Sequence, residues 1–301
     1  MRPARYRDHM TFNDNARVGG NTAKRRGGGV AVAGGGIAGI GALAVLLFSL
    51  FTGTDLSGLL GGGGVPAQPG SGGGEAIANC QTGADANESD DCRLAAASLN
   101  IDQFWAATVE GYRQPQLIIV DGSTSTQCGT ASNATGPFYC PPEETVYVDP
   151  TFFALLRERF DATAGPLAQL YVLAHEYGHH VQNITGLMER YPNNGTGPDS
   201  NGVRTELQAD CFAGAWVAAA GDQLDETGTP YLQQPTQQQI TDALNAAASV
   251  GDDHIQQESG QGVNPESWTH GSSEQRQRWF DAGREGGVGA CDTFAVSGGS
   301  L

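Results

Sequence analysis

The segment Leu170–Gln182 constrains this chain most, because it places an H-E-x-x-H motif inside a predicted helix. Leucine, alanine and valine recur there at spacings of three and four residues, as in an amphipathic helix. A helix turns about 100° per residue, so His175 and His179 lie on one face, where two imidazoles can bind one metal ion. Glu176 points to one side, which suits a base acting on a water beside the metal. The motif predicts a zinc hydrolase site, and the alternative is an ordinary amphipathic helix.

A second predicted helix, Val203 to Ala220, supplies candidates for the rest of the site. Glu206 follows His179 after enough chain to turn back and act as a third metal ligand. Asp210, one turn later, is predicted to accept a hydrogen bond from a ligand histidine. Two histidines and one glutamate leave a coordination position for water, as catalytic zinc sites do. The alternative is a solvated acidic face, but the helix is largely apolar and unpaired carboxylates are costly there.

Composition divides the chain into four parts. Residues 1–29 contain seven basic and two acidic residues and are predicted to be a cytoplasmic arm. Residues 30–51 have Ser49 as their one polar residue, and a helix of that length, roughly 33 Å, spans a hydrocarbon core of about 30 Å. Residues 52–78 are predicted to form a Gly/Pro/Ser-rich linker, and residues 79–301 the domain that contains the predicted zinc site. A cleaved signal peptide is the alternative to the transmembrane helix, although its apolar region would be unusually long.

The charge distribution bears on topology and on partners. Basic residues before the apolar span predict a cytoplasmic N-terminus and an extracytoplasmic domain. Residues 52–301 contain nine arginines, no lysine and 31 acidic residues. So acidic a domain would be repelled by phosphates, which argues against nucleic acid as a partner.

All six cysteines lie in the predicted domain, at positions Cys80, Cys92, Cys128, Cys140, Cys211 and Cys291. This distribution fits three disulfides in an oxidising exterior. Six cysteines allow fifteen disulfide connectivities, and the sequence alone does not decide among them. Proximity along the chain favours Cys80–Cys92 and Cys128–Cys140, which leaves Cys211–Cys291. Zinc ligation by cysteine is a weaker alternative, since the chain has no C-x2-C pair.

The periodicity predicts an α+β domain, with a small β region before the metal helix and mostly helices after it. Strands are expected at Gln116–Val120 and Thr145–Val148, with a loop or hairpin between Cys128 and Pro141. The predicted helices are Arg93–Val109, Phe152–Phe160, the metal helix that starts near Pro166 and ends at Gly186, Val203–Ala220, Thr236–Val250 and Ser272–Gly283.

Several motifs together resemble a known family. They are H-E-Y-G-H-H-V-Q from His175, E-L-Q-A-D-C from Glu206, W-T-H-G-S-S-E-Q-R from Trp268, C-G…G-P-F-Y-C-P from Cys128 and G-D-D from Gly251. This set resembles the bacterial neutral zinc metallopeptidases of the YpfJ type over most of the predicted domain. The resemblance implies a zincin-like fold and a zinc hydrolase in a bacterial cell membrane.

The E-x-x-x-D arrangement also resembles the wider glutamate-zincin group, in which a histidine six residues before an arginine contributes to the active site. Here that spacing is His270 to Arg276. Physically, His270 would donate to the oxyanion formed from an attacked carbonyl, and Arg276 would hold His270 or bind a substrate carboxylate. The alternative for His270 is a neighbour of the cap of the last helix. His180, rotated about 100° from His179, is predicted to pack rather than bind metal.

These patterns predict a membrane-anchored, zinc-dependent peptidase with one catalytic zinc ion. Glu176 would act as general base for a zinc-activated water that hydrolyses a peptide bond. Expected partners are a peptide or protein substrate and, through residues 30–51, a lipid bilayer. The alternative is a non-catalytic extracellular module that contains zinc and binds peptides. Neither the natural substrate nor the oligomeric state follows from the sequence.

Overall fold

The computed structural model describes residues 11–27, 74–154, 165–258 and 262–301. Its strands are β1 (Lys24–Gly27), β2 (Glu75–Ala76), β3 (Gln116–Asp121), β4 (Ser123–Thr126), β5 (Gly129–Ser132), β6 (Phe138–Cys140) and β7 (Thr145–Val148). Its α-helices are α1 (Gly83–Glu88), α2 (Asp90–Thr108), α3 (Pro166–Ile184), α4 (Leu187–Arg190), α5 (Asn201–Ala219), α6 (Gln237–Ser249), α7 (Asp252–Glu258) and α8 (Ser273–Gly286).

A mixed five-stranded sheet forms the β part of the fold, in the order β2-β1-β3-β7-β6. The central pairs β1–β3 and β3–β7 are parallel, whereas both edge strands run antiparallel to their neighbours. Residues Leu117 to Val120 are buried on both faces of the sheet, as expected of a covered parallel strand. Leu117 and Ile119 join the core with the helices, and Ile118 and Val120 pack in a second cluster with Phe138. Strands β4 and β5 form a separate hairpin.

The helices α3, α5 and α8 pack closely because glycines lie where they cross. A Cβ on Gly178 of α3 would meet Ala209 of α5 at 3.1 Å. On the other side of α5, Gly214 faces the backbone of Phe280, and Gly283 of α8 faces the carbonyl of Cys211. At both glycines the facing backbone leaves no room for a side chain. Backbone-to-backbone contact of this kind fixes the relative position of the three helices, which bear the predicted site residues.

Most predicted elements are confirmed, with caps that explain their bounds. Helix α3 begins at Pro166, whose missing N–H is no loss in a first turn, and Gly186 follows it with φ +73°. The Ser200 and Ser272 side chains cap α5 and α8, and Thr236 caps α6. The short helices α1 and α7 were not predicted. The predicted helix Phe152–Phe160 lies mostly outside the described residues.

The predicted arm and linker differ from the structure. Residues 1–29 were expected to form a separate arm and residues 52–78 a linker, but β1 and β2 belong to the sheet. Phe12 and Val18 are fully buried in the core, and the Arg17 amide donates to Asp225 Oδ2 at 2.7 Å. Residues 11–27 are therefore part of the domain. The stabilisation from burying their apolar side chains and pairing β1 outweighs the favourable hydration of their basic side chains.

The predicted transmembrane helix, residues 30–51, lies outside the described residues. Within the described ranges, no helix has both the length and the apolar character needed to cross a membrane. The two described ends that flank residues 28–73 are adjacent, because Lys24 pairs with Ala76 and Arg25 with Glu75 in antiparallel register.

Three disulfides join Cys80 to Cys92, Cys128 to Cys140 and Cys211 to Cys291. The pairing that proximity along the chain favoured is confirmed. Cys211–Cys291 ties the middle of α5, five residues after Glu206, to the segment after α8.

Candidate metal centre

His175, His179 and Glu206 come together between α3 and α5, as the sequence predicts. One ligand atom from each lies within 4.8 Å of the other two. Glu206 faces both imidazoles, with Oε2 3.2 Å from His175 Nε2 and Oε1 3.5 Å from His179 Nε2. All three side chains are buried. The two nitrogens and the carboxylate therefore converge on a single point.

Asp210 holds His175 in place from the far side of the ring. Asp210 Oδ1 lies 2.8 Å from His175 Nδ1, and the carboxylate is fully buried. Arg276 binds the same carboxylate through Nε at 2.8 Å and a terminal nitrogen at 2.9 Å, while the Tyr171 hydroxyl donates to it. Asp210 therefore contacts a candidate ligand where the sequence placed it, and Arg276 pairs with Asp210 and not with His270. The partner of Arg276 depends on how α8 packs on α5, which the spacing of His270 and Arg276 along the chain does not show.

A chain of amide side chains holds His179. Gln182 Oε1 lies 2.9 Å from His179 Nδ1, and Gln182 donates to Gln208 Oε1 at 3.0 Å. Gln208 in turn donates to the carbonyl of Cys291 at 2.9 Å. These hydrogen bonds therefore connect His179 to Cys291, which belongs to the disulfide that closes the longest loop.

The donor set fits a zinc ion. In each imidazole Nδ1 faces an acceptor oxygen and keeps its proton, so Nε2, which faces Glu206, is the nitrogen available to a metal ion. Two imidazole nitrogens and one carboxylate oxygen are the ligands of catalytic zinc sites. The partners Asp210 and Gln182 are the outer interactions that orient such ligands.

Electrostatics at this point favour a cation. Burial opposes protonation of His175, but the Asp210 and Glu206 carboxylates outweigh it and raise its pKa to about 10. Burial opposes ionisation of Glu206 as well, yet His179 and His175 hold its pKa well below the usual value. Likewise Arg276 and His175 overcome the burial of Asp210 and lower its pKa to about 2. Glu206 and Asp210 are thus ionised, and their negative charge favours a cation at this buried site.

Glu176 lies beside the ligands without joining them. Its carboxylate is buried, and burial raises its pKa, although the backbone amide of Tyr139 donates to it. Tyr139 belongs to the edge strand β6, so the sheet reaches the site next to the predicted base. A carboxylate with a raised pKa accepts a proton more readily than an ordinary glutamate.

His270 reaches the site on the segment that precedes α8. It is buried, and its charged form lowers the pKa of Glu206. The following Gly271 sits against Val203 and Leu207 of α5, the two residues that flank the Glu206 turn. His270 therefore lies on the segment that packs beside the Glu206 turn, but it is not one of the three grouped ligands, and its catalytic role stays a prediction.

His180 packs away from the ligands, as predicted. Its Nε2 donates to the carbonyl of Arg113 at 2.6 Å and its Nδ1 faces the Tyr139 hydroxyl at 3.0 Å. Three contributors to the site were missed: Tyr171, Gln182 and Asp252. Tyr171 lies four residues before His175 and Gln182 three after His179, so helix spacing would have found both. Asp252 lies in the G-D-D motif that resembles the family, but nothing in the sequence paired it with His270.

Comparison with known proteins agrees with this geometry. A family model described as "Putative neutral zinc metallopeptidase" matches residues 4–294. An uncharacterised protein of Mycobacterium tuberculosis (strain H37Rv) is 47% identical over 223 residues, which cover 73% of this chain and 76% of that protein. The uncharacterised protein YpfJ of Escherichia coli K12 is 37% identical over 267 residues, covering 85% and 86%. No solved structure matches. The chain belongs to the neutral zinc metallopeptidase family.

Proposed function

We propose that this protein is a zinc-dependent peptidase that hydrolyses peptide bonds with Glu176 as general base. The observation behind the proposal is the convergence of His175 Nε2, His179 Nε2 and Glu206 within 4.8 Å, beside a buried carboxylate that does not join them. A structural zinc site is closed by four protein ligands. Among the described residues three groups converge here, which is the arrangement of a catalytic site.

The roles of the residues follow from their positions. A zinc ion at this site supplies Lewis-acid activation of a water and of the peptide carbonyl. Glu176 accepts the proton of the attacking water and then delivers it to the leaving amine. His270 donates to the oxyanion that develops on the carbonyl. Asp210 and Gln182 keep the two imidazoles in the required tautomer, and Arg276 neutralises the buried Asp210.

We also propose that residues 30–51 hold the protein at a membrane and that the domain is extracytoplasmic. The support is the apolar sequence of that segment and the location of all cysteines after it. The pairing of β1 with β2 adds a constraint, since a chain that crosses once cannot keep both strands in one sheet. We therefore infer that residues 11–27 lie on the same side of the membrane as the domain.

Protease accessibility of terminal tags on intact cells tests this topology. The proposal predicts that tags before Met1 and after Leu301 are both accessible from outside. A protected N-terminal tag with an accessible C-terminal tag would contradict it and would support the single-pass arrangement that the basic arm predicts.

The peptidase proposal is tested with the full chain and a mixed library of quenched fluorescent peptides. Zinc-loaded wild type is expected to cleave some members, and Glu176→Gln is expected to retain zinc while losing at least about 100-fold in rate, the usual contribution of a general base. Equal cleavage by both proteins would refute the role of Glu176. Failure of the zinc-loaded wild type to cleave any member would count against peptidase activity itself.

A further inference from the structure

The segment Thr269–Gly271 is wrapped around one buried carboxylate that the proposed chemistry leaves without a role. Asp252 Oδ2 accepts hydrogen bonds from three successive backbone amides, those of Thr269 at 2.7 Å, His270 at 2.7 Å and Gly271 at 3.1 Å. The Asp252 amide returns a bond to the Gly271 carbonyl at 2.9 Å. Asp252 is 8% exposed. Four bonds to one residue fix the backbone on either side of His270.

The other oxygen of the same carboxylate faces the His270 ring. Asp252 Oδ1 lies 3.2 Å from Nδ1, and the Thr269 hydroxyl lies 2.7 Å from the same nitrogen. Nε2 is then on the opposite edge of the ring. Burial opposes ionisation of Asp252, but His270 and the amides outweigh it and lower the pKa of the carboxyl. Asp252 is thus an anion at neutral pH, and it restrains the ring as well as the backbone.

The position of this segment places His270 beside the helix that bears the third candidate ligand. A Cβ on Gly271 would lie 3.2 Å from Val203 Cγ1 and 3.3 Å from Leu207 Cδ2, so the segment rests on the turn of α5 that contains Glu206. Because Nδ1 faces the Asp252 carboxylate, Nε2 is the ring nitrogen left to meet a substrate.

We propose that Asp252 is a positioning residue, which holds the backbone of Thr269–Gly271 and the His270 ring so that Nε2 meets the reacting carbonyl. The inference rests on the proposed peptidase function. It deepens that function by assigning the donor of the oxyanion site a fixed partner, in the way that an aspartate orients the histidine of a catalytic triad.

A double-mutant cycle on the full, zinc-loaded chain tests the proposal, with the library peptide that wild type cleaves fastest. Asp252→Asn keeps an oxygen for the backbone amides and removes the charge. We expect kcat to fall about 10–100-fold, the usual effect of losing such a partner, with KM and zinc content within about twofold of wild type. Because Asp252 acts through His270, Asp252→Asn should have little further effect in a His270→Ala background. Multiplicative losses in the double variant would overturn the proposal.

Asp253→Asn is the matched control. Asp253 anchors the residues just after the segment, since the Ser273 amide donates to its carboxylate at 2.8 Å. Among the described residues, that carboxylate has no hydrogen bond to the His270 ring. We expect its kcat to stay within about twofold of wild type. A loss as large as that of Asp252→Asn would mean that anchoring of the segment, and not orientation of the ring, accounts for the effect, which would overturn the proposal.

Nitrogen-15 NMR of the His270 ring is measured on the wild-type protein. It therefore tests the orientation without requiring enzymatic activity or a variant that folds. In zinc-loaded wild type we expect Nδ1 to carry a proton, because it faces the Asp252 carboxylate at 3.2 Å. An unprotonated Nδ1 would contradict the proposal, whether or not the protein cleaves any peptide. If Nδ1 is protonated but no peptide is cleaved, the orientation stands and the proposed peptidase function fails.

Discussion

His175 and Asp210 are joined by a buried contact of 2.8 Å between Nδ1 and Oδ1. The contact links the first helix of the site to the second, and it leaves His175 Nε2 for a metal ion. Asp210 also neutralises Arg276 through two bonds. One carboxylate therefore supports both a candidate ligand and a buried cation.

Asp210→Asn should weaken zinc binding. The amide still accepts from His175 but no longer compensates Arg276, so we expect zinc affinity to fall about 10–100-fold and the free energy of unfolding to fall by about 3–5 kcal/mol, as when one partner of a buried ion pair is removed. Competition with a chromogenic chelator measures the affinity, and urea unfolding the stability. The control is Asp281→Asn, which breaks a partly exposed pair with Arg284 and should change neither. An unchanged zinc affinity in Asp210→Asn would show that the contact does not orient His175.

Gly283→Ala should disturb the packing of α8 on α5. A Cβ at this position would collide with the carbonyl oxygen of Cys211, and overpacking of this kind costs about 1–3 kcal/mol. Thermal unfolding should show a lower Tm, and zinc affinity should fall too because Arg276 moves with α8. Gly289→Ala, whose Cβ meets nothing within 4 Å, should leave both unchanged. Equal Tm values for Gly283→Ala and wild type would contradict the observed helix crossing.

Asp102 should make stability depend on pH. Burial raises its pKa to about 7, although the Tyr112 hydroxyl that donates to it acts in the opposite direction. The folded state thus binds more protons than the unfolded state between pH about 4, the unfolded value, and about 7, so stability falls as the pH rises through that range. Asp102→Asn removes the effect and should exceed wild type in stability by about 2–4 kcal/mol at pH 8, but by much less at pH 5. Urea unfolding at the two pH values measures the difference, and a difference independent of pH would contradict the raised pKa.

The disulfides should differ in their contribution to stability according to the loops they close. Cys211 and Cys291 are separated by 80 residues, and Cys80 and Cys92 by 12. Loop-closure entropy gives about 4.5 kcal/mol for the longer loop and about 3 kcal/mol for the shorter. Replacing both cysteines of each pair by alanine should therefore lower Tm more for Cys211–Cys291. Only that pair should also alter zinc binding, since it anchors the Gln208–Gln182 chain to His179. The reverse order of Tm values would contradict this account.

Much of the site was predictable because helical periodicity fixes which residues share a face. His175 and His179 are one turn apart, and so are Glu206 and Asp210, so the ligands followed from spacing and from the apolar surroundings of the second helix. The partner of Arg276 did not follow, because it depends on how α8 crosses α5. That crossing is set by Gly214 and Gly283, whose role is visible only once the two backbones are in contact.

The fold was less predictable at its N-terminus for a different physical reason. Residues 24–27 are basic and glycine-rich, without the alternating apolar pattern of a strand. They enter the sheet through backbone hydrogen bonds to β3 and through the ion pair of Arg25 with Asp91. Their partners lie far away in the chain, so local composition predicted a detached arm instead. The role of Asp252 did not follow from the sequence for the same reason, because its partners Thr269 to Gly271 lie in a separate segment.

The zinc content of the purified chain tests the central claim most directly. Wild type, stripped with a chelator, reloaded and desalted, should contain one zinc ion per chain by mass spectrometry of the metal. Glu206→Gln, measured alongside, should lose most of it, because a neutral amide replaces a ligand carboxylate. A wild type that binds no zinc, or a Glu206→Gln variant that binds it with undiminished affinity, would contradict a metal centre formed by His175, His179 and Glu206.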